Sequence, residues 1–373
     1  MQLKLYNIRF IAYFCRKDIK MGNLIQILKW KFYYRYKQTL SDEDVDGRYT
    51  FPQKCMLFLY MTKVNLFGEY LTSDLLKGKV ELSTDKVSDI IFNTLSNDQP
   101  CMIARYGANE QRIVANYLSI KSGKKSMTQA VCGRQPFWWW DKYVRKDFTS
   151  IAGFFPDEIS YLERYSERMI NDAKSLDVLL AWFGWEPLLV DFEKSNIGFV
   201  GLQEAEPWWQ QNPWTRYLEN KKVLVVHPYA ELIHRQYMNR DKLFKNKSVL
   251  PDFELITLKA VQSIGGKVKG YDNWFDALKW MEDEIDKIDY DVALIGCGAY
   301  GFCLAAHVKR SGKKAVHLGG ALQLLFGIKG SRWEKKDYHP VFDYSKLFNQ
   351  YWVRPDDVYR PENAERFEGA CYW

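Results

Sequence analysis

A glycine-rich turn holds the clearest chemical pattern in the sequence. Residues 296–301 read Gly-Cys-Gly-Ala-Tyr-Gly, which matches G-x-G-x-x-G directly after an apolar run and before a helix-forming segment. Gly296 and Gly298 can bring backbone N–H groups close to a phosphate, and the following helix adds about half a positive charge at its N-terminus. With Tyr300 and Gly301 completing the turn, the pattern predicts a site for a diphosphate or another anion. The alternative is a tight turn whose glycines serve packing only.

The next strand end indicates which anion is favoured. A nicotinamide dinucleotide needs an acid there to hold a ribose hydroxyl, but the sequence reads His-Leu-Gly-Gly over residues 317–320. The motif therefore favours another diphosphate over NAD. Gly319 and Gly320 allow close approach of a ligand to the backbone, and Arg332 can neutralise a diphosphate. Alternatively, Arg332 is a solvated loop charge.

A second constellation spans residues 105–110, Arg-Tyr-Gly-Ala-Asn-Glu, after the apolar run 101–104. Parallel α/β sheets bind ligands at the carboxyl ends of their strands. Arg105 can form a forked contact with phosphate, with Gly107 and Asn109 beside it in a candidate phosphate-binding loop. Glu110 is a candidate general base or metal ligand. The alternative is a surface Arg and Glu, the latter suited to a helix N-terminus.

One histidine and several tryptophans add to these candidates. His227 ends the apolar run 222–227 and is a second catalytic candidate near pH 7, although a structural histidine fits equally well. Flat aromatic faces suit sugar rings, so two or three of the many tryptophans are expected near a ligand and the rest in the core. These tryptophans fall at positions 138–140, 182, 185, 208–209 and 214.

The candidate residues can form one site only if the strands that precede them end at the same edge of a sheet. From residue 80 onward, short apolar runs alternate with segments of helical period, which predicts an α/β, Rossmann-like fold with a largely parallel sheet flanked by helices. The predicted strands cover 100–105, 177–183, 222–227, 253–260, 291–295 and 314–318. The predicted helices cover 84–95, 110–120, 230–244, 274–288 and 300–309, one more begins at Pro156, and 131–156 is predicted to be irregular. The predicted parts are an arm and linker (1–45), an N-terminal α/β part (46–220), a C-terminal Rossmann-like part (221–335) and a tail (336–373).

Charge is distributed unevenly along the 373 residues. The chain carries a net charge of +7, but residues 1–40 hold nine basic side chains and one acid, which leaves the body nearly neutral. A neutral body disfavours nucleic acid as a partner. The basic, aromatic, helical arm either packs on the body or contacts an anionic membrane surface. A start at Met21 instead of Met1 would shorten it.

Two further features bear on location. The sequence has no apolar run of about 18 residues, and its seven cysteines are scattered without a C-x-x-C pair. These features predict a reduced, cytoplasmic protein, peripheral on the inner face of the membrane if the arm binds lipid.

Taken together, two of these segments resemble the GT-D type of glycosyltransferase fold, a Rossmann-like family of bacterial surface-polysaccharide and glycoprotein loci. The resemblance covers about residues 80–335. It rests on Ala-Arg-Tyr-Gly-Ala-Asn-Glu over 104–110, similar to that family's R-[FY]-G-x-x-E element, and on the strand, glycine turn, helix and strand of 291–320. It implies transfer of a sugar from a nucleotide-sugar donor to a glycan, glycolipid or glycoprotein acceptor in surface polysaccharide biosynthesis.

The sequence departs from this family at one position. Founding members of the fold carry an Asp-x-Glu pair for a divalent cation, whereas Ala108 stands at the Asp position and only Glu110 remains. Mn²⁺ or Mg²⁺ at Glu110 would need donor phosphates to complete its ligands, so metal dependence stays open. Two alternatives also stay open: a Rossmann enzyme with a nicotinamide or adenosyl cofactor, and a non-catalytic sugar-binding protein derived from a transferase.

Overall fold

The computed structural model describes residues 49–67, 78–182, 184–189, 197–266, 268–335, 338–360 and 372. The predicted arm of residues 1–45, with its membrane contact and the choice between Met1 and Met21, lies outside the described residues. The chain divides into two compact units. One comprises Met1–Leu71 and Ser119–Trp139, and the other comprises Thr72–Leu118 and Trp140–Trp373.

The second unit is built on a sheet of seven strands, all parallel, in the order β3-β2-β1-β7-β6-β4-β5. The predicted α/β, Rossmann-like class is confirmed. Strands from both predicted α/β parts pair in this one sheet. The strands are β1 (Cys101–Ala104), β2 (Val178–Ala181), β3 (Gly198–Gly201), β4 (Lys222–His227), β5 (Glu254–Lys259), β6 (Val292–Ile295) and β7 (Lys314–His317).

Helices connect the strands of this unit and pack on them. They are α2 (Thr84–Ser96), α3 (Ala108–Ser122), α5 (Lys142–Ser150), α6 (Ile159–Ala173), α7 (Ala230–Tyr237), α8 (Arg240–Leu243), α9 (Trp274–Asp286), α10 (Gly301–Arg310) and α11 (Leu322–Leu325). The first unit contributes α1 (Phe51–Phe67) and α4 (Met127–Val131).

Both faces of the sheet are buried because successive residues of each strand enter different cores. On one face, Ile103 and Val225 pack with residues of α2, α7 and α11. On the other, Ala104 and Leu224 pack with residues of α6, α9 and α10. Burial on both faces explains why β6 and the interior of β4 read as continuous apolar runs, the pattern typical of parallel strands.

Two predicted elements differ from the structure. The segment 131–156, predicted to be irregular, contains helix α5, which starts at Asp141 because its carboxylate accepts hydrogen bonds from the amides of Tyr143 and Val144. The helix predicted over 230–244 is interrupted: α7 ends at Tyr237, and Asn239 adopts a non-helical conformation before α8. Local propensity did not distinguish one long helix from two short ones.

The described part of the first unit has its own small core. Met56 and Leu57 of α1 are buried with Ala130 and Phe137. Phe137 stacks on Trp139 with 4.5 Å between ring centres. Across both units, no described helix is long and apolar enough to cross a membrane.

Candidate active site

A cavity of about 480 Å³ opens at the carboxyl ends of the strands in the second unit. Its size suits a small-molecule ligand, and its place is where doubly wound sheets bind ligands. Residues at or after six of the seven strands line it. They include Arg105, Gly107, Asn109 and Glu110 after β1, Trp182 after β2, His227 and Tyr229 at β4, Gln262 after β5, Gly296 and Gly298 after β6, and His317, Gly319, Gly320 and Gln323 at β7.

Arg105 is one of two arginines in the described lining of this cavity. Its guanidinium carbon lies 4.5 Å from the ring centre of Trp182, and its Nε donates a hydrogen bond to the Tyr106 carbonyl oxygen at 3.1 Å. Gly319 has φ of +64°, and a Cβ atom there would lie 3.0 Å from Nη1 of Arg105. Among the described residues, no carboxylate pairs with Arg105. The cavity thus receives a positioned positive charge that forms no ion pair with a carboxylate of the described residues.

A buried carboxylate fixes the tryptophan that supports Arg105. The backbone N–H of Trp182 donates to both carboxylate oxygens of Glu186, at 3.0 and 3.1 Å. Glu186 is 1% exposed and also accepts from the Gln111 amide at 3.3 Å. The indole N–H of Trp182 donates to the Tyr106 carbonyl at 2.9 Å. Trp182 is therefore held at both ends while the residue stays 39% exposed.

Glu110 lies in the first turn of α3, folded back over Gly107. A Cβ atom on Gly107 would lie 1.9 Å from Oε2 of Glu110, so only glycine leaves room for this carboxylate. The same arrangement occurs after β3, where a Cβ atom on Gly201 would lie 2.0 Å from Oε2 of Glu204. The G-x-x-E geometry therefore occurs after two strands of this sheet and does not by itself mark a ligand site. What distinguishes Glu110 is that it lines the cavity and Glu204 does not.

His227 enters the cavity as a neutral side chain. Its Nδ1 accepts a hydrogen bond from the Tyr229 amide at 3.0 Å, and burial lowers its pKa to about 3. Since Nδ1 carries the lone pair, the ring proton is on Nε2. This state makes His227 a hydrogen-bond donor to a ligand at neutral pH.

His317 has the opposite tautomer to His227. His317 is not among the site residues predicted from the sequence. Its Nδ1 contacts the Ile295 carbonyl oxygen at 3.1 Å and must donate, since a carbonyl only accepts. Burial and then the charge of Arg105 lower its pKa to about 3, so Nε2 keeps its lone pair. The signal was available, because His317 ends an apolar strand as His227 does.

The glycine-rich turn contributes to the cavity through only its first two glycines. A Cβ atom on Gly296 would lie 2.7 Å from the Gly319 carbonyl oxygen, so the loops after β6 and β7 approach closely there. Gly298 borders the cavity with φ of +58°. Gly301 packs against the His317 ring instead, where a Cβ atom would lie 2.1 Å from Cε1.

Tyr300 lies in the core, outside the cavity lining. It is 2% exposed, its hydroxyl is 2.8 Å from the Ser263 hydroxyl, and its ring stacks on Trp274 at 4.8 Å. Of the twelve predicted site residues, the structure therefore brings ten to the cavity and leaves two behind it. The ten are Arg105, Gly107, Asn109, Glu110, His227, Gly296, Gly298, Gly319, Gly320 and Arg332; the two are Tyr300 and Gly301.

Arg332 supplies the second cation, together with an aromatic wall that the sequence did not indicate. Its Nη1 donates to the Tyr372 hydroxyl at 3.1 Å, and its guanidinium carbon lies 4.7 Å from that ring centre. A Cβ atom on Gly320 would lie 2.2 Å from Tyr372. Tyr338 also lines the cavity. Both tyrosines belong to the predicted tail 336–373, which has no periodic pattern from which their position could be inferred.

The charges of the lining favour an anion. Among the described residues that line the cavity, Arg105 and Arg332 carry positive charge and Glu110 carries negative charge. The low pKa values of His227 and His317 keep both histidines neutral. Among the described residues, no three His, Cys, Asp or Glu side chains come together as metal ligands. With Glu110 as the one carboxylate of the described lining, Mn²⁺ or Mg²⁺ at this cavity would need donor phosphates and water to complete its ligands.

Comparisons with known proteins assign no family to the chain. No protein-family model matches it, and no curated protein matches it. Among solved structures, it is similar to one described as the selenomethionine-substituted structure of domain of unknown function 1792 (DUF1792). The two chains are 11% identical with a TM-score of 0.30, over 74% of this chain and 96% of that one. So low a TM-score assigns neither a family nor an activity.

Proposed function

We propose that the protein is a glycosyltransferase whose cavity binds the diphosphate of a nucleotide-sugar donor. The observation that carries the proposal is the guanidinium of Arg105, which pairs with no carboxylate of the described residues and is held by Trp182 and Tyr106 at the carboxyl edge of the sheet. The glycine turn at Gly296 and Gly298 borders the same cavity. The likeness of residues 104–110 to the GT-D element supports a sugar donor over other diphosphates.

The proposed reaction assigns a role to each group. The bond between the anomeric carbon and the diphosphate oxygen breaks, and a bond from that carbon to an acceptor hydroxyl oxygen forms. Glu110 takes the hydroxyl proton as general base. Arg105 and Arg332 stabilise the negative charge that stays on the nucleoside diphosphate. His227 donates from Nε2 and His317 accepts at Nε2, so each orients ligand groups of opposite hydrogen-bonding character.

The remaining predictions concern the acceptor and the setting. We propose a glycan, glycolipid or glycoprotein acceptor of a surface polysaccharide pathway, on the cytoplasmic side of the membrane, with residues 1–40 contacting anionic lipid. Among the described residues that line the cavity, Glu110 is the only carboxylate, and the proposed reaction uses no divalent cation.

A matched pair of variants tests the role of Glu110. Glu110→Gln should lower turnover of a panel of nucleotide sugars by about a hundredfold or more, the usual effect of losing a general base. Glu204→Gln is the control because the Glu204 carboxylate lies over Gly201 as the Glu110 carboxylate lies over Gly107, but outside the cavity. The panel is assayed with and without Mn²⁺. If Glu110→Gln turns over donors as well as Glu204→Gln does, Glu110 is not the base.

A further inference from the structure

The cavity has a neutral, largely apolar region beside β4 and β5. Six residues line it: Pro228 and Tyr229 after β4, Gln262 and Ile264 after β5, and Ile151 and Ala152 after α5. None of these side chains is charged, whereas Arg105 and Glu110 follow β1 on the other side of the cavity. A nucleotide is divided in the same way, because its phosphates are charged and its base is neutral, with flat apolar faces and a polar edge.

Contacts between neighbouring loops place this neutral region in line with the proposed diphosphate site. A Cβ atom on Gly296 would lie 2.7 Å from the Gly319 carbonyl oxygen and 2.9 Å from Cδ2 of His227. Directly after β5, the Ala260 amide donates a hydrogen bond to the His227 carbonyl oxygen at 3.2 Å. Strands β6 and β5 both pair with β4, so the Gly296 turn and Gln262 lie two strand spacings apart, roughly 10 Å. A nucleoside has a similar length.

Gln262 presents a positioned amide to this region. The Val261 amide on one side donates to Sδ of Met281 at 3.4 Å, and the Ser263 hydroxyl on the other side lies 2.8 Å from the Tyr300 hydroxyl. The Gln262 side chain lines the cavity and makes no hydrogen bond with another described residue. Its amide offers a donor and an acceptor side by side. Base edges also carry adjacent donors and acceptors, so the two can pair.

The other aromatic parts of the cavity suit a base less well. The guanidinium carbon of Arg105 lies 4.5 Å from the Trp182 ring centre, and that of Arg332 lies 4.7 Å from the Tyr372 ring centre. These rings therefore lie beside positive charge, which favours phosphate. As general base, Glu110 must reach the acceptor hydroxyl and so must face the sugar. The nucleoside then lies on the opposite side of the diphosphate, toward β4 and β5.

We propose that Gln262 determines the base preference of the donor by hydrogen-bonding the edge of the base in this neutral region. The faces of the base lie against the apolar side chains around it. The proposal rests on the diphosphate site proposed above and adds the nucleoside part of the ligand.

Calorimetric titration of the full chain tests this assignment. The probes are uridine, cytidine, adenosine and guanosine diphosphates and inorganic pyrophosphate. Wild type should bind at least one nucleoside diphosphate more tightly than pyrophosphate. Gln262→Leu keeps a side chain of similar size without the amide, so it should bind the preferred nucleoside diphosphate about tenfold more weakly and pyrophosphate as wild type does. The control is Gln203→Leu, because Gln203 is a half-buried glutamine outside the described lining, and it should leave both affinities unchanged.

Pyrophosphate separates failure of the base assignment from failure of the diphosphate site. Arg105→Lys should weaken binding of pyrophosphate and nucleoside diphosphates alike. If no diphosphate binds, or if Arg105→Lys binds pyrophosphate as wild type does, the diphosphate site and the base assignment are both wrong.

Three results would overturn the base assignment alone. They are wild-type affinity for nucleoside diphosphates no higher than for pyrophosphate, nucleoside diphosphate binding by Gln262→Leu equal to that of Gln203→Leu, or an equal loss of pyrophosphate and nucleoside diphosphate affinity in Gln262→Leu. The last result would mean that Gln262 acts on the diphosphate and not on the base.

Discussion

Arg105 and Trp182 share one backbone acceptor, the carbonyl oxygen of Tyr106. The Nε of Arg105 donates to it at 3.1 Å and the indole N–H of Trp182 at 2.9 Å, while the guanidinium carbon stays 4.5 Å from the indole ring centre. The two side chains are therefore oriented as a pair before any ligand binds. Such preorganisation lowers the entropic cost of binding an anion.

Removing the tryptophan should weaken ligand binding through Arg105. Trp182→Ala removes a cation–π contact of about 1 kcal/mol, which corresponds to roughly fivefold in the donor Kd. Trp280→Ala is the control, since Trp280 is 38% exposed against 39% for Trp182 and does not line the cavity. Titration of both variants with the same donor checks this. Equal affinities would mean that Trp182 does not position Arg105.

A pair of glycine variants separates backbone strain from obstruction of the cavity. Gly298 and Gly312 have φ of +58° and +82°, and a Cβ atom at either would meet no close neighbour. Gly298→Ala and Gly312→Ala should each lower the free energy of unfolding by about 1 kcal/mol, which denaturant titration measures. Only Gly298→Ala should weaken donor binding, because its methyl group would enter the cavity. If both variants lose donor binding, the loss is due to lower stability and not to obstruction of the cavity.

The state of His227 predicts a pH profile. Because His227 is neutral in the fold, with a pKa of about 3, it should contribute no ionisation to the turnover rate near neutral pH. His227→Phe removes the Nε2 donor and should reduce turnover about fivefold, whereas His227→Gln should lose less. Both variants should keep the wild-type pH dependence. A step near pH 6.5 that only the wild type shows would make His227 a titrating catalyst.

Buried Glu206 predicts how stability changes with pH. It is 4% exposed and accepts hydrogen bonds from the Tyr344 hydroxyl at 2.6 Å and the Trp209 indole N–H at 2.9 Å. Burial raises its pKa from 4.5 to about 8 in spite of these bonds. Between these two values the unfolded chain releases a proton that the folded chain keeps, so stability falls as pH rises through this window and levels off above it.

Glu206→Gln removes that titration. The variant should show a flatter dependence of Tm on pH than the wild type between about pH 5 and 8, with the largest relative gain at the upper end. Asp343→Asn is the control. Asp343 is a partly exposed acid next to Tyr344, and a hydrogen bond from the Ser345 hydroxyl lowers the pKa of Asp343. Parallel wild-type and Glu206→Gln curves would show that Glu206 is ionised in the fold.

The sequence was informative where burial leaves a regular pattern. Strands such as β4 and β6 were predictable because both faces are buried, whereas β3 was missed because two of its four residues are glycine. The site residues that follow strand ends were predictable because the carboxyl ends of parallel strands lie at one edge of the sheet. Tyr338 and Tyr372 were not, since they reach the cavity from a segment without local periodicity. The hydrogen bonds from Trp182 to Glu186 could not be predicted, because the spacing of these residues in the sequence does not indicate that they interact.

The most direct test of the account is calorimetric titration of the full chain with a panel of nucleotide sugars, comparing wild type with Arg105→Lys. Lysine keeps the charge but loses the planar fork and the stacking on Trp182, so we expect saturable binding that Arg105→Lys weakens at least about tenfold. Arg164→Lys is the control, because Arg164 lies 3.9 Å from the Phe275 ring centre outside the cavity, and it should bind as the wild type does. Absence of binding to every donor, or equal affinity in Arg105→Lys and wild type, would contradict the assignment of this cavity to a nucleotide-sugar diphosphate.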